Sequence, residues 1–190
     1  MVRKALKAMM MMYDVHDPYT AGHGHRTGIL AREIALKLGY SEDHAENLEL
    51  IGMVHDVGKI TVPANILSKP TKLEPIEFTL LKAHCHVGYE IFKDFEFPLP
   101  IADIILQHHE RLDGTGYPQG LTEHQILPES KILAVADVFE AMASRRPYRE
   151  ALGFDEALAE LVRYSGTKYC SDSVKALSTL IKDEGYRLEE

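Results

Sequence analysis

Five of the ten histidines and two aspartates stand where the predicted helices begin, end or turn inward, which is the composition of a metal site. They are His23, His55, Asp56, His84, His108, His109 and Asp137. Imidazole and carboxylate ligands without thiolate suit iron, manganese, zinc, cobalt or nickel, and ligand type alone does not choose among these metals. Two ions roughly 3.5–4 Å apart, bridged by Asp56 and a hydroxide, would use all seven groups and would suit in-line attack on phosphorus.

Charge favours a small anionic ligand for such a site. Two divalent ions bring more positive charge than Asp56 and Asp137 remove, and neutral histidines leave the site positive. The whole chain has a net charge of -8, from 21 basic and 29 acidic residues, which argues against broad binding to duplex nucleic acid. We therefore expect a phosphodiester anion as the ligand rather than a polynucleotide.

Helix geometry limits which neighbouring histidines can share an ion. His84 and His86 are two positions apart, about 200° around a helix, so both cannot point into one site. An adjacent pair such as His55 and Asp56 is about 100° apart and can flank two ions. We interpret the remaining histidines as ordinary polar residues: His16, His25, His44, His86 and His124.

The elements that must position these residues are predicted to be helices. Helical periodicity dominates, and no alternating apolar segment precedes a hairpin signal, so we predict an all-α domain of about seven helices. The first helix buries Leu6, Met9, Met10 and Tyr13 and ends near residue 17. Further helices are predicted over about 23–38, 42–54, 75–94, 100–109, 129–144, 155–165 and from 171 onward, with Ser41 and Ser171 as caps.

Two segments are predicted to be loops. Residues 59–74 hold prolines and turn formers, and residues 110–128 form a glycine- and proline-rich stretch that is too long for a simple connector. Loops of that length are often functional. Asp137 is conspicuous because the surrounding helix is strongly apolar.

The chain is expected to be one domain that stays in the cytoplasm. We divide it into an N-terminal helix (1–16), a metal and substrate core (17–150) and C-terminal helices (151–190). No run reaches the roughly 18–20 apolar residues that a membrane span requires. Cys85 and Cys170 are far apart, so neither a disulfide nor a thiolate zinc site is indicated, and Cys85 is expected to pack in the core.

Several motifs resemble the signatures of the HD-GYP family, a subclass of the HD superfamily of metal-dependent phosphohydrolases. They are HDVGK at 55–59, HHERLDGTGYP at 108–118, KILAVADVFEAMASRRPYR at 131–149, DPYTAGHGHR at 17–26 and HCHVG at 84–88. The resemblance implies a helical domain that hydrolyses cyclic di-GMP to linear pGpG and, in some members, onward to GMP. It implies two divalent transition-metal ions, iron or manganese first, with zinc, nickel and cobalt as alternatives.

The resemblance also implies roles for single residues. All seven histidines and aspartates named above match the metal ligands of the family, and Lys59 matches a lysine that contacts the substrate phosphate. Asp56 and Lys59 are thus the implied catalytic residues. The implied substrate-binding residues are Lys59, Arg111, Asp113, Gly116, Tyr117, Arg145, Arg146 and Arg149. A local ion pair between Arg111 and Asp113 that only fixes the turn is an equal alternative.

Three positions depart from the family pattern. Tyr19 stands where members with a third metal have a glutamate, which predicts a two-metal site. Arg145 and Glu140 stand where aspartate is common, which leaves the choice of substrate open. The alternatives are a different substrate, such as cyclic GMP-AMP or another cyclic dinucleotide, or a module that binds a cyclic dinucleotide or a cyclase without hydrolysis.

The resemblance also implies that the loop at 116–118 docks a diguanylate cyclase (GGDEF) domain. Whether the chain forms a homodimer is left open by the sequence.

Overall fold

All regular structure in the described part of the chain is helical. The computed structural model describes residues 2–16, 22–144 and 153–188, and within these ranges it has ten α-helices, one 3₁₀ helix and no strand. The helices are α1 (Val2–His16), α2 (His23–Lys37), α3 (Glu42–Val54), the 3₁₀ helix (Val57–Thr61), α4 (Ala64–Leu67), α5 (Pro75–Lys82), α6 (His84–Phe92), α7 (Ile101–Gln107), α8 (Pro128–Ala143), α9 (Phe154–Arg163) and α10 (Ser171–Lys182). The prediction of an all-α fold is confirmed.

The helices are more numerous than predicted because two segments divide differently. The segment 59–74, predicted to be a loop, contains the end of the 3₁₀ helix and α4. The single helix predicted over 75–94 is two helices, which meet at Ala83. The His84 ring donates from Nδ1 to the carbonyl of Leu81, 2.5 Å away, which in a continuous helix would accept the amide of Cys85. His84 therefore begins a helix instead of lying in the middle of one.

The predicted stop at Gly39 and cap at Ser41 are confirmed, and the predicted cap at Ser171 is wrong. Gly39 follows α2 with a φ of 86°, and the Ser41 hydroxyl accepts the His44 amide at 3.3 Å, as expected of a stop and a cap. Ser171 is the first residue of α10 and not its cap, which is Cys170. In α1, Leu6 is fully buried and the adjacent methionines at 9 and 10 pack partly against the core, while the Tyr13 side chain lies outside the described residues.

The core brings α2, α3 and α8 together behind the predicted site. α2 and α3 cross closely at Gly28 and Gly52, where a Cβ added to Gly52 would lie 2.6 Å from the Gly28 Cα. Leu48 and Ile51 of α3 and Leu133 of α8 are all fully or almost fully buried in the same cluster. This packing places the beginning of α2 beside the end of α3. No helix in the described ranges is long and apolar enough to cross a membrane.

The 3₁₀ helix lies directly against α6 at Gly58. A Cβ added there would lie 2.0 Å from the His84 carbonyl oxygen and 2.8 Å from the Gly88 amide nitrogen. Because both neighbours are backbone atoms, we expect Gly58→Ala to lower the free energy of unfolding by about 1–3 kcal/mol through forced separation of the two elements. Urea denaturation followed by circular dichroism measures this change, and an unchanged midpoint would contradict the close packing.

Candidate metal centre

The seven predicted ligands come together from five parts of the chain. His23 begins α2, His55 and Asp56 directly follow α3, and His84 begins α6. His108 and His109 follow α7, and Asp137 lies in the middle of α8. All of them are buried except His109, which is 17% exposed.

Asp56 lies between two sets of histidines. Its Oδ2 is 3.5 Å from Nε2 of His55 and 3.8 Å from Nε2 of His23. Its Oδ1 is 3.4 Å from Nε2 of His84 and 3.9 Å from Nε2 of His108. Each oxygen of one carboxylate thus faces a different pair of imidazoles, which is the arrangement that a bridging ligand needs.

Asp137 closes the cluster from the side of α8. Its Oδ1 is 3.2 Å from Nε2 of His23 and 3.7 Å from Nε2 of His55, while its Oδ2 is 3.9 Å from Nδ1 of His109. Three overlapping groups have donor atoms within 4.8 Å of one another: His23 with His55 and Asp137; His55 with Asp56 and His108; and His84 with Cys85, His108 and His109. The cluster therefore extends over more than one ion position.

Three of the histidine rings are oriented by the helices that precede them. In each, Nδ1 lies within hydrogen-bonding distance of the backbone carbonyl three residues earlier, at 2.5–2.7 Å. The pairs are His55 with Gly52, His84 with Leu81, and His108 with Ile105. Since a carbonyl can only accept, Nδ1 carries the proton and the Nε2 lone pair points into the cluster, ready to bind a metal.

Burial and local charge set the protonation of the cluster. Burial lowers the pKa of His84 to about 4 and that of His108 to about 3, so both rings are neutral at pH 7. Burial alone would raise the pKa of Asp56, but Lys59 and the surrounding histidines hold that pKa well below its ordinary value. The pKa of Asp137 is held well below its ordinary value in the same way, by the adjacent His23 and His55. Neutral imidazoles and ionised carboxylates are the ligand forms of these side chains.

Two buried atoms of the cluster make no hydrogen bond to any described residue. They are Nε2 of His55 and Oδ1 of Asp56. Leaving a polar atom buried and unsatisfied costs about 1–3 kcal/mol, and a divalent cation between them would remove that cost. The residues present therefore fit a metal centre. The Cys85 thiol is fully buried 3.5 Å from Nε2 of His84, and burial raises its pKa above the ordinary range, so it packs as a neutral group.

Glu140 supports the cluster from α8, and the sequence indicated it only as a departure from the family pattern. Its fully buried carboxylate contacts Nδ1 of His23 through Oε2 and accepts from Nε of Arg26 at 2.7 Å and from the Ser144 hydroxyl at 2.8 Å through Oε1. A carboxylate on the second ring nitrogen orients a metal-binding histidine and raises its basicity. Glu140 lies one turn after Asp137, which is the sequence signal for its role.

We expect Glu140→Gln to weaken metal binding about 10- to 100-fold, because the neutral amide holds His23 less firmly. Competition with a fluorescent chelator measures the affinity. Glu140→Asp keeps the charge and should restore most of it. Equal affinity of wild type and Glu140→Gln would contradict a supporting role.

The predicted substrate residues separate into two groups. Lys59, in the 3₁₀ helix, lies with Nζ 2.5 Å from Oδ2 of Asp56 and is therefore at the cluster. Arg111 donates to the Glu110 carbonyl at 2.8 Å and lies over the Tyr169 ring. Asp113 is exposed and accepts from the amide and hydroxyl of Thr115. Arg111 and Asp113 thus form no ion pair with each other in the described structure, and their role in substrate binding stays a prediction.

The 110–128 loop is held by a carboxylate that the sequence did not single out. Glu110 is buried and accepts the amides of Gln119, Gly120 and Leu121 at 2.7, 3.2 and 2.9 Å. A Cβ added to Gly116 would lie 2.4 Å from the Glu110 Cα, so the glycine serves close packing of the loop. The predicted substrate positions Arg145, Arg146 and Arg149, and the departure at Tyr19, lie outside the described residues.

A family model described as the HD domain matches residues 7–172. The chain belongs to the HD domain family. The cyclic di-GMP phosphodiesterase of Thermotoga maritima is 39% identical to this HD-domain chain, and the match covers 98% of this chain and 52% of that protein. The 3'3'-cGAMP-specific phosphodiesterase 3 of Vibrio cholerae is 35% identical, over 90% of this chain and 38% of that protein. The chain therefore spans about half or less of the length of these curated relatives.

A solved structure of an HD-GYP-type protein has the same fold as this HD-domain chain. Bd1817, a HDG"Y"P protein from Bdellovibrio bacteriovorus, matches with a TM-score of 0.70 and 26% identity, over 84% of this chain and 51% of that chain. This match and the named relatives confirm that the motifs resemble those of the HD-GYP subclass.

Proposed function

We propose that the chain is a phosphodiesterase that hydrolyses cyclic di-GMP at a centre of two divalent transition-metal ions. The observation that carries the proposal is the position of Asp56, whose two carboxylate oxygens face separate pairs of imidazoles at 3.4–3.9 Å. His23, His55 and Asp137 would hold one ion, His84, His108 and His109 the other, and Asp56 both. Iron and manganese suit this set of imidazoles and carboxylates, with zinc, nickel and cobalt as alternatives.

The protein's own groups supply binding and orientation. When bound, the ions lower the pKa of water and withdraw charge from phosphorus. The backbone carbonyls behind His55, His84 and His108 fix the rings so that each Nε2 faces inward. Lys59, next to Asp56, is placed to contact a non-bridging phosphate oxygen, because its ammonium lies at the edge of the cluster and its side chain is 16% exposed.

The choice of cyclic di-GMP is supported by the name of the Thermotoga maritima relative, which at 39% identity is more similar to this chain than the Vibrio cholerae protein at 35%. Cyclic GMP-AMP is the second candidate, because a relative named as specific for it is almost as similar. Hydrolysis of one phosphodiester would give linear pGpG, and a second hydrolysis would give GMP.

The proposal includes a cytoplasmic location, since both cysteines are free thiols, one of them buried. The proposal also includes docking of a diguanylate cyclase domain at the 116–118 loop.

Anaerobic turnover with purified protein tests the proposal. Protein reconstituted with Mn²⁺ or Fe²⁺ is incubated with cyclic di-GMP and, separately, with 3'3'-cyclic GMP-AMP, and the products are separated by chromatography. We expect linear dinucleotide from cyclic di-GMP and none after chelation of the metal. Tight binding without product would instead identify a sensing module, and exclusive cleavage of cyclic GMP-AMP would replace the substrate.

A further inference from the structure

Lys82, the last residue of α5, holds its ammonium over two aromatic rings. Its Nζ is 4.6 Å from the centre of the Phe78 ring and 5.1 Å from the centre of the Tyr117 ring. Phe78 lies one turn earlier on the same helix, and Tyr117 comes from the 110–128 loop. Within the described ranges, no carboxylate forms an ion pair with Lys82, although acidic residues outnumber basic ones in the chain.

This group of three residues adjoins the metal centre. The Tyr117 ring packs on the His109 ring, with centres 4.7 Å apart and a tilt of 35°, and it meets the Phe78 ring edge-on at 6.1 Å. His109 in turn lies 3.9 Å from Asp137. The rings of His109, Tyr117 and Phe78 thus form a continuous row that leads from the metal ligands outward to α5. The Tyr117 ring contacts both the His109 ring and the Lys82 ammonium.

α5 is held in place although it contributes nothing to the core. None of its residues is buried, and Phe78 is 42% exposed. Its first turn is fixed because the Glu77 carboxylate accepts from the Glu74 amide at 2.7 Å and from Lys69 at 2.6 and 2.8 Å. An aromatic ring and a cation are therefore presented beside the centre on a short helix whose side chains are accessible to a ligand.

From these positions we infer that Lys82 and Phe78 form a second substrate subsite, which binds the half of the cyclic dinucleotide that is not being hydrolysed. The inference rests on the proposed function. A cyclic dinucleotide carries two phosphodiesters and two purines, and the metal centre can engage only one phosphodiester at a time. The ammonium of Lys82 matches the second phosphate anion, and the exposed Phe78 side chain matches a purine, because nucleobases stack well on aromatic side chains.

The proposed subsite should affect cyclic dinucleotides and small phosphodiesters differently. A small phosphodiester such as bis(p-nitrophenyl) phosphate fills the metal centre but has no second phosphate to reach Lys82. A cyclic dinucleotide occupies both the metal centre and the subsite at Lys82. Loss of the Lys82 charge should therefore affect binding of the dinucleotide and leave cleavage of the small ester unchanged.

Steady-state kinetics of Lys82→Met with both substrates tests the inference. We expect KM for cyclic di-GMP to rise about tenfold or more with little change in kcat, because one charge-assisted contact is lost. Kinetics with bis(p-nitrophenyl) phosphate should match wild type. Lys82→Arg should restore most of the affinity, and Lys175→Met, an exposed lysine on α10, should behave as wild type.

An unchanged KM for cyclic di-GMP in Lys82→Met would overturn the subsite. Equal losses on both substrates would also overturn it, because Lys82 would then act through the packing of Tyr117. Failure of the proposed function is a separate result: wild-type protein would cleave bis(p-nitrophenyl) phosphate and leave cyclic di-GMP intact, and the subsite would fall with it.

Discussion

Asp56→Ala is expected to abolish both metal loading and turnover. The carboxylate faces imidazoles on both sides of the cluster, so its removal takes a ligand from both ion positions at once. Loss of the charge stabilisation that the ions supply, several kcal/mol, corresponds to a decrease in kcat/KM of about a thousandfold or more. Metal content by mass spectrometry and turnover of cyclic di-GMP are measured on the same sample.

Asp103→Ala is the matched control, since Asp103 is an exposed aspartate on α7, the helix that precedes His108. It should keep wild-type metal content and rate. Circular dichroism of both variants separates loss of metal from loss of fold. An Asp56→Ala protein that remained active without metal would refute the metal-centre account.

The second large effect is expected for Lys59→Ala, which should keep the metal and lose reaction with the substrate. Lys59 contacts Asp56 through its ammonium but offers no lone pair to a cation at neutral pH, so it is not needed to hold an ion. Loss of one charged contact to the phosphate should lower kcat/KM roughly 10- to 100-fold. The measurement pairs metal content with steady-state kinetics.

Lys59→Arg retains the charge and should recover part of the rate. Lys93→Ala is the matched control because Lys93 is an exposed lysine that pairs only with Glu90 among the described residues. Loss of metal from Lys59→Ala would instead show that the lysine mainly stabilises the ionised Asp56.

The ligands could be predicted from sequence because their positions are local features. His55 and Asp56 follow an amphipathic helix, and Asp137 is a charge inside an apolar one, so each stands out within its own segment. The resemblance of the motifs to the HD-GYP signatures completes the set of seven. The all-α fold followed in the same way from helical periodicity, which is a property of each segment alone.

The supporting contacts could not be predicted because they join distant parts of the chain. Glu140 meets His23 across 117 residues, and nothing in either segment indicates that α2 and α8 pack together. The break at Ala83 depends on a hydrogen bond from the His84 ring to the Leu81 carbonyl of the preceding helix, α5. This bond competes with the backbone hydrogen bond of a continuous helix and does not change the apolar periodicity of the sequence. Glu110 likewise acts through three amides of a loop whose path the sequence did not define.

Anomalous diffraction from crystals of the manganese- or iron-loaded protein tests the central claim most directly. We predict two peaks of anomalous scattering, one next to His23, His55 and Asp137 and the other next to His84, His108 and His109, with Asp56 in contact with both. A single ion that Asp56 does not contact, or no ion at full loading, would contradict the two-metal centre.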